Sequence, residues 1–319
     1  MFEYGWLKRV TQYDSTGKVL SDNDFANGEG TLRFKHHDGS EYITAGYKHY
    51  MRNGWYISKY PNGQVSYMQH YTNGLKDSIS KEFYVDGKLE NEGTYVLGKQ
   101  HGVWKYYHPN GKLNYTETYK DGNEQGQVLM YNDDGTLDKE INYKDGVLHG
   151  NYKIYAENNQ LAIQLNYKNG EIVSYTYEGK DGKLVTPIAV KSGKALVVGY
   201  FKNGNKSCEI NFEDYIVQGV RKIYFSNGKP YIDGKRELGD EHGLKTVYHL
   251  NGNIEKQENY EYGSLHGVVK TYYENGKLKS EEHYNHGIRV GEHKFYDSNG
   301  KLTETRNYYH GVLEKVVKG

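Results

Sequence analysis

GVWKYYHPNGKLNYTETYKDGNEQ (Gly102–Gln125), GQVLMYNDDGTLDKEINYKDGVLH (Gly126–His149) and GNYKIYAENNQLAIQLNYKNGEIV (Gly150–Val173) follow one another without a gap, each starting 24 residues after the last. A fixed period of this length is the mark of a repeat architecture, in which each segment is one supersecondary unit that buries its apolar face only against its neighbours. The same step, taken backward, lands on Ser78, Gly54 and Gly30. Taken forward it reaches Ser174, where the repeat is shortened, and the phase restarts at Ala195 and continues through Gly219, Gly243, Gly267 and Gly291. A looser first repeat begins near Gly5. The whole reads as about thirteen repeats in one sheet: an irregular capping repeat over 1–29, a regular array over 30–173, a phase slip over 174–194 and a second array with its cap over 195–319.

Numbering each repeat from zero, offsets 8 and 9 are mostly Asn-Gly or Asp-Gly, as at Asn62-Gly63, Asn110-Gly111, Asp134-Gly135 and Asn275-Gly276. Such pairs favour positive φ at both centres of a two-residue hairpin turn. A second glycine at offset 20 (Gly74, Gly98, Gly122, Gly146) turns the chain into the next repeat. The fold class that follows is all-β, an elongated antiparallel β-meander of 24-residue hairpins. A two-residue turn at offsets 8 and 9 makes paired offsets sum to 17. Offset 3 then faces offset 14, which sets Lys81 against Glu92, Lys222 against Asp233 and Lys270 against Glu281, each pair worth ~0.2–1 kcal/mol. Offset 0 faces offset 17, placing the first glycine beneath a tyrosine. Alternation puts offsets 2, 4, 11, 13, 15 and 17 on one mostly apolar face, such as Trp104, Tyr106, Leu113, Tyr115 and Tyr119. The opposite face carries the Lys/Glu ladder and an aromatic column at offset 5, which includes Tyr107, Tyr131, Tyr155, Tyr200, Tyr224, Tyr248 and Tyr272.

Composition agrees with a thin, aromatic sheet. Only 36% of residues are hydrophobic, but 35 are Tyr; 39 Gly stand against 4 Pro. The 41 basic residues balance 41 acidic ones, so no field of one sign favours nucleic acid or an anionic membrane. The single cysteine, Cys208, excludes an internal disulfide framework and falls at offset 13 on the apolar face, where it reads as a core residue. The start, MFEYGWLKRV, lacks a basic-then-apolar leader, and the expectation is a cytoplasmic protein.

The elements Tyr-x-x-Gly, His-Gly, an aromatic and Asn-Gly-x-Leu, clearest in YKDGVLHG (Tyr143–Gly150), YEYGSLHG (Tyr260–Gly267) and YENGKLKSEEHYNHG (Tyr273–Gly287), resemble the MORN repeat, and more closely its bacterial variant. Chains composed only of such repeats resemble the YwqK-type antitoxin family of toxin–antitoxin systems. That resemblance implies a protein partner, a toxin neutralised by occlusion. Eukaryotic MORN proteins imply instead a membrane-surface scaffold, which the zero net charge disfavours.

Catalytic constellations are absent from the sequence reading, and no enzyme, cofactor or metal is expected. His101, His149, His242 and His266 recur at offset 23, but adjacent repeats set them ~10 Å apart, too far to share a zinc. His283, His286 and His293 are the densest histidine group, with Glu281, Glu282 and Glu292 read as the charged face. GYFKNGNKS (Gly199–Ser207) lacks the strand-to-helix context and spacing of a phosphate loop. Lysines two residues before the aromatic column suggest base stacking, but the offset-14 acids neutralise them, so nucleic acid is not the expected partner. Partner binding is assigned instead to the aromatic column and to the exposed aromatics expected at the phase slip, Tyr175, Tyr177, Tyr200 and Phe201. The apolar face needs cover, either by curling over itself or by a homodimer.

Overall fold

A computed structural model describes residues 2–3, 6–25 and 27–319. Gly5, the expected start of the first repeat, lies outside the described residues. Those residues form antiparallel strands joined by turns, with one short 3-10 turn at Glu157–Asn159. Among them no helix is long and apolar enough to cross a membrane.

Within each repeat the register follows the expected sum for most of the hairpin. In the Gly102 repeat, Gly102 pairs with Tyr119, Trp104 with Glu117, Lys105 with Thr116 and Tyr106 with Tyr115. The expected ion pairs form, with Lys81–Glu92 at 3.1 Å and Lys222–Asp233 and Lys270–Glu281 at 3.2 Å. Near the turn the expectation fails. Tyr107 pairs with Leu113, and a β-bulge intervenes. The His108 amide donates to the Lys112 carbonyl (2.8 Å), and the Gly111 amide donates to the His108 carbonyl (2.7 Å). Gly111 takes φ +89°, whereas Asn110 is not among the residues with positive φ. The loop is therefore three residues long and ends on a left-handed glycine, with a bulge that absorbs the odd residue.

The two-residue turn with positive φ at both centres occurs instead between repeats. Asp121 and Gly122 take φ +54° and +85°, and Lys120 pairs directly with Asn123. Asp145-Gly146, Asn169-Gly170 and His286-Gly287 repeat this geometry. The Asn at offset 8 has a different task. Asn110 Oδ1 accepts from the Lys112 amide (2.8 Å), while its Nδ2 donates to the Asp133 carbonyl of the next repeat (2.8 Å). Asn62, Asn203, Asn251 and Asn275 make the same link. The pairing of offset 0 with offset 17 holds, but a Cβ at Gly54 would meet nothing within 4 Å. Its φ of +87°, not an overlying tyrosine, is what calls for glycine there.

The chain divides into two compact units, residues 1–135 and 136–319. In the first, the hairpin Arg9–Tyr13/Val19–Asp24 covers the edge of the strand Gly30–Lys35. Side-chain amides take over the ladder there. Asn23 accepts from the Arg33 amide (2.7 Å) and donates to the Arg33 carbonyl (3.1 Å); Gln12 does the same at Lys35 (2.8 and 2.7 Å). Phe25, 1% exposed, closes the end of a small core with Leu32 and Ala45. An edge whose amides and carbonyls are already bonded is not a template for further strands.

In the second unit the phase slip is a change of sheet. The strand Glu171–Thr176 pairs with the short strand Ile188–Ala189 and ends one sheet. The chain restarts at Ala195–Tyr200, the first strand of another. The single continuous sheet expected from the period is thus interrupted. The inner faces remain continuous. Ile154, Ile163, Leu165 and Ile172 from one sheet pack in one core with Val197, Cys208, Ile210, Phe212 and Ile223 from the other. The bulge lets two consecutive side chains enter it: Ala162 with Ile163, Ser207 with Cys208, Tyr231 with Ile232. Three hydrogen bonds link the two sheets and their turns. Ser207 Oγ donates to the Ala162 carbonyl (2.5 Å), and the Ser226 amide and hydroxyl both donate to Glu157.

Candidate binding cleft

The face that is sealed in the second unit is open in the first. Its offset-22 and offset-2, 4, 13 and 17 positions line a cleft of about 400 Å³. The walls are aromatic: Tyr56 lies edge-on to Tyr67 (6.0 Å between centroids) and Tyr71 (6.5 Å), and Tyr95 edge-on to Trp104 (5.2 Å). Trp104, 4% exposed, rests on Gly93, where any Cβ would run into the indole ring. Ser58, Ser80, Glu82 and Asn91 supply the polar lining, with Asn91 donating to Glu82.

Two cations complete the lining. Arg52 lies 5.3 Å from the centroids of both Tyr56 and Tyr71, and Lys76 lies 4.8 Å from Tyr95 and 6.0 Å from Tyr67. Burial alone would favour the neutral amine at Lys76, but Tyr67 and Tyr95 outweigh it and raise its pKa above the ordinary lysine value. Among the described ion pairs neither cation has a carboxylate partner, whereas the offset-3 lysines of the opposite face do. Aromatic rings beneath a cation hold its charge in place without neutralising it. The cleft therefore presents net positive, amphipathic lining that suits an anionic group carried on an apolar or aromatic body.

The sequence reading missed Arg52 and Lys76. Its clue lay at offset 22, which holds Arg52 and Lys76 in successive repeats but Leu148, Ile172 and Val217 where the sheets pack. The residues assigned to partner binding fall elsewhere. In the aromatic column, the hydroxyls of Tyr107 and Tyr155 donate to Glu92 and Glu140 (3.2 Å each), and Tyr272 donates to Gln257 (3.3 Å). These rings belong to the ladder of the polar face. Tyr131 and Tyr224 are half-buried on it, and Tyr248 packs on the core edge. At the sheet change, Phe201 is 3% exposed, contrary to the expected exposure, because it packs in the apolar core that the two sheets share. Tyr175 and Tyr177 pack against that core, and Tyr177 meets Tyr200 edge-on at 5.6 Å. Tyr200 keeps 41% of its surface. Cys208 is fully buried, and burial pushes its thiol up to about 12.

The histidines divide by position rather than by column. His293, 1% exposed, is held by the His283 carbonyl (3.0 Å) and Glu282 (3.5 Å) on the inner face. His286 lies away from it, on an inter-repeat turn beside His266, with ring centroids 4.7 Å apart.

No curated protein matches the chain. Among solved structures it is similar to chains of the TcdB2-TccC3-Cdc42 crystal structure, at 10% identity and TM-score 0.14, over 95% of this chain and 20% of that one. It is similar also to the Photorhabdus luminescens Tc holotoxin pore, at 13% identity and TM-score 0.17, over 98% of this chain and 16% of that one. A third, TcdB2-TccC3, matches at 13% identity and TM-score 0.17, over 96% of this chain and 21% of that one. The chain spans about a fifth of the length of the structures it matches. Each family-model match starts at an offset-22 position and runs through a hairpin; the first five end on the first residue of the inter-repeat turn, and the sixth ends on the strand before it. Six repeats of the chain, residues 100–121, 124–145, 148–169, 241–262, 265–286 and 289–308, match the MORN repeat variant.

Proposed function

We propose that this is a non-catalytic binding protein that engages a protein partner through the cleft of its first unit and acts by occluding it, as an antitoxin does. The observation that carries the reading is the cation pair, Arg52 and Lys76, seated on Tyr56, Tyr67, Tyr71 and Tyr95 without carboxylate partners. Aromatic residues and arginine are the side chains that concentrate binding energy at protein interfaces. The chemistry points to a partner segment carrying Asp or Glu beside an apolar or aromatic residue. Such a segment desolvates the rings and neutralises both cations in one step. The ladder of the opposite face supports the choice, since Lys81, Lys222, Lys270, Tyr107 and Tyr155 there are already engaged with acids.

The test is affinity capture from the native host with three baits: the wild type, Arg52→Ala/Lys76→Ala, and Tyr272→Ala on the other face. A protein retained by the wild type and by Tyr272→Ala, and lost from the double variant, is the expected result. Capture that survives the double variant but fails with Tyr272→Ala would move the site to the polar face. Flotation of the wild type with anionic vesicles, and no retained protein, would replace the reading with that of a membrane scaffold.

A further inference from the structure

Three of the offset-23 histidines, His149, His242 and His266, each meet the inter-repeat turn that follows 20 residues later. The Asn169 amide donates to His149 Nδ1 (3.4 Å), His242 faces Tyr262 with centroids 5.9 Å apart, and His266 faces His286. An acid at offset 18 joins two of these pairs: Glu237 lies 3.5 Å from His242, and Glu261 lies 3.6 Å from His266. Only in the last case does the turn contribute a third metal-ligating side chain. His286 Nε2 lies 4.0 Å from Glu261 Oε2, and one ligand atom from each of Glu261, His266 and His286 falls within 4.8 Å of the others.

We infer that Glu261, His266 and His286 form a binding site for a divalent transition-metal ion, with zinc the best fit. Two imidazoles and one carboxylate are the donor set of an open tetrahedral site, with a fourth position left to water or an incoming ligand. Bonds of about 2.0–2.1 Å at tetrahedral angles set donors roughly 3.3 Å apart, so the widest pair closes by at most about 1.5 Å. That is within reach of side chains that are partly exposed on a turn. A second observation is independent of this spacing: His266 Nδ1 is shielded from solvent and has no hydrogen-bond partner. A metal ion satisfies it where the geometry of the acid does not. His286 holds φ +45° at the turn position that Asn169 and Asp145 fill in other repeats. The ion ties the end of the strand Ile254–Glu261 to two successive inter-repeat turns, so it links neighbouring repeats of the second unit.

Calorimetric titration of the full chain with zinc ions tests this, at a pH above the ordinary histidine value, for the wild type, His286→Asn and Glu261→Gln. Asn suits the left-handed turn, so His286→Asn folds. The expected result is one saturable equivalent in the wild type, weakened at least about tenfold in each variant, in line with the loss on disturbing a metal ligand's surroundings. A second readout is thermal unfolding: zinc ions raise the midpoint of the wild type and leave that of His286→Asn unmoved. Absence of saturable binding in the wild type, or equal affinity in His286→Asn, overturns the inference.

Discussion

The inter-repeat turns show how much a single residue carries here. Their first central residue is held at left-handed φ whatever its identity. Asn73, Asp121, Asp145 and Asn169 suit that conformation, but Leu97 (+50°), Leu238 (+51°) and Tyr262 (+46°) do not. Both leucines are 75% exposed, so no packing offsets the strain. A left-handed L-residue costs roughly 1–2 kcal/mol, much less for Asn. Leu97→Asn and Leu238→Asn are each expected to stabilise the protein by about 0.5–1 kcal/mol, read as a higher urea midpoint at unchanged slope. A fall in the midpoint would show that the exposed leucines make contacts that matter more than their backbone.

At the scale of the element, the hairpin turn is a coupling device between repeats. Asn110 accepts within its own turn and donates to the next, and Lys112 Nζ adds a bond to the Asp134 carbonyl (2.7 Å). Offset 6 adds a third link, where Tyr84 Oη donates to the Tyr107 carbonyl (2.6 Å) and Tyr273 Oη to the Tyr296 carbonyl (2.7 Å). Asn275→Asp retains the acceptor for the Lys277 amide (3.0 Å) and removes the donor to the Ser298 carbonyl (3.0 Å). It is expected to cost about 0.5–1.5 kcal/mol. Hydrogen exchange should then rise at the turns of both repeats; protection lost only at Asn275–Lys277 would mean the link carries no coupling.

Across the second unit, packing of the two sheets governs stability. A Cβ at Gly199 would stand 2.7 Å from Ser207 Oγ and 3.0 Å from the Ala162 carbonyl, at an ordinary φ. Gly199→Ala is expected to destabilise by about 1–3 kcal/mol through steric overlap alone, measured by urea unfolding. Beyond the apolar core the inner face becomes ionic, with Glu258 2.8 Å from Lys245 and 2.6 Å from Lys256. Burial pushes the Glu258 carboxyl up, but Lys256 and Lys245 outweigh it and hold it at about 2. Glu282 is likewise lowered to about 2, where His293, Tyr284 and Ser280 outweigh burial. A carboxylate depressed in the folded state stabilises above its unfolded value and loses that contribution as pH falls through the folded one. Each carboxyl lowered to about 2 in the folded state contributes on the order of 3 kcal/mol. Unfolding free energy should therefore drop between about pH 5 and pH 2, and Glu258→Gln should flatten that slope. An unchanged slope would place the acid sensitivity elsewhere.

What the sequence by itself determined is everything local to one period. The 24-residue step, the pairing of offset 3 with offset 14 and the assignment of faces depend on strand alternation and turn residues, which act over a few positions. Turn type was only half legible, because Asn-Gly suits two loops of different length and the choice between them rests on a side-chain bond to the following repeat. The cleft and the buried Phe201 were not legible. The same offsets carry Tyr56, Tyr67 and Tyr95 in one unit and Val197, Cys208 and Phe212 in the other. Whether such a face is closed or open depends on what packs against it. That was decided by the change of sheet between Ala189 and Ala195, where the hydrogen-bond ladder ends and burial of apolar surface takes over.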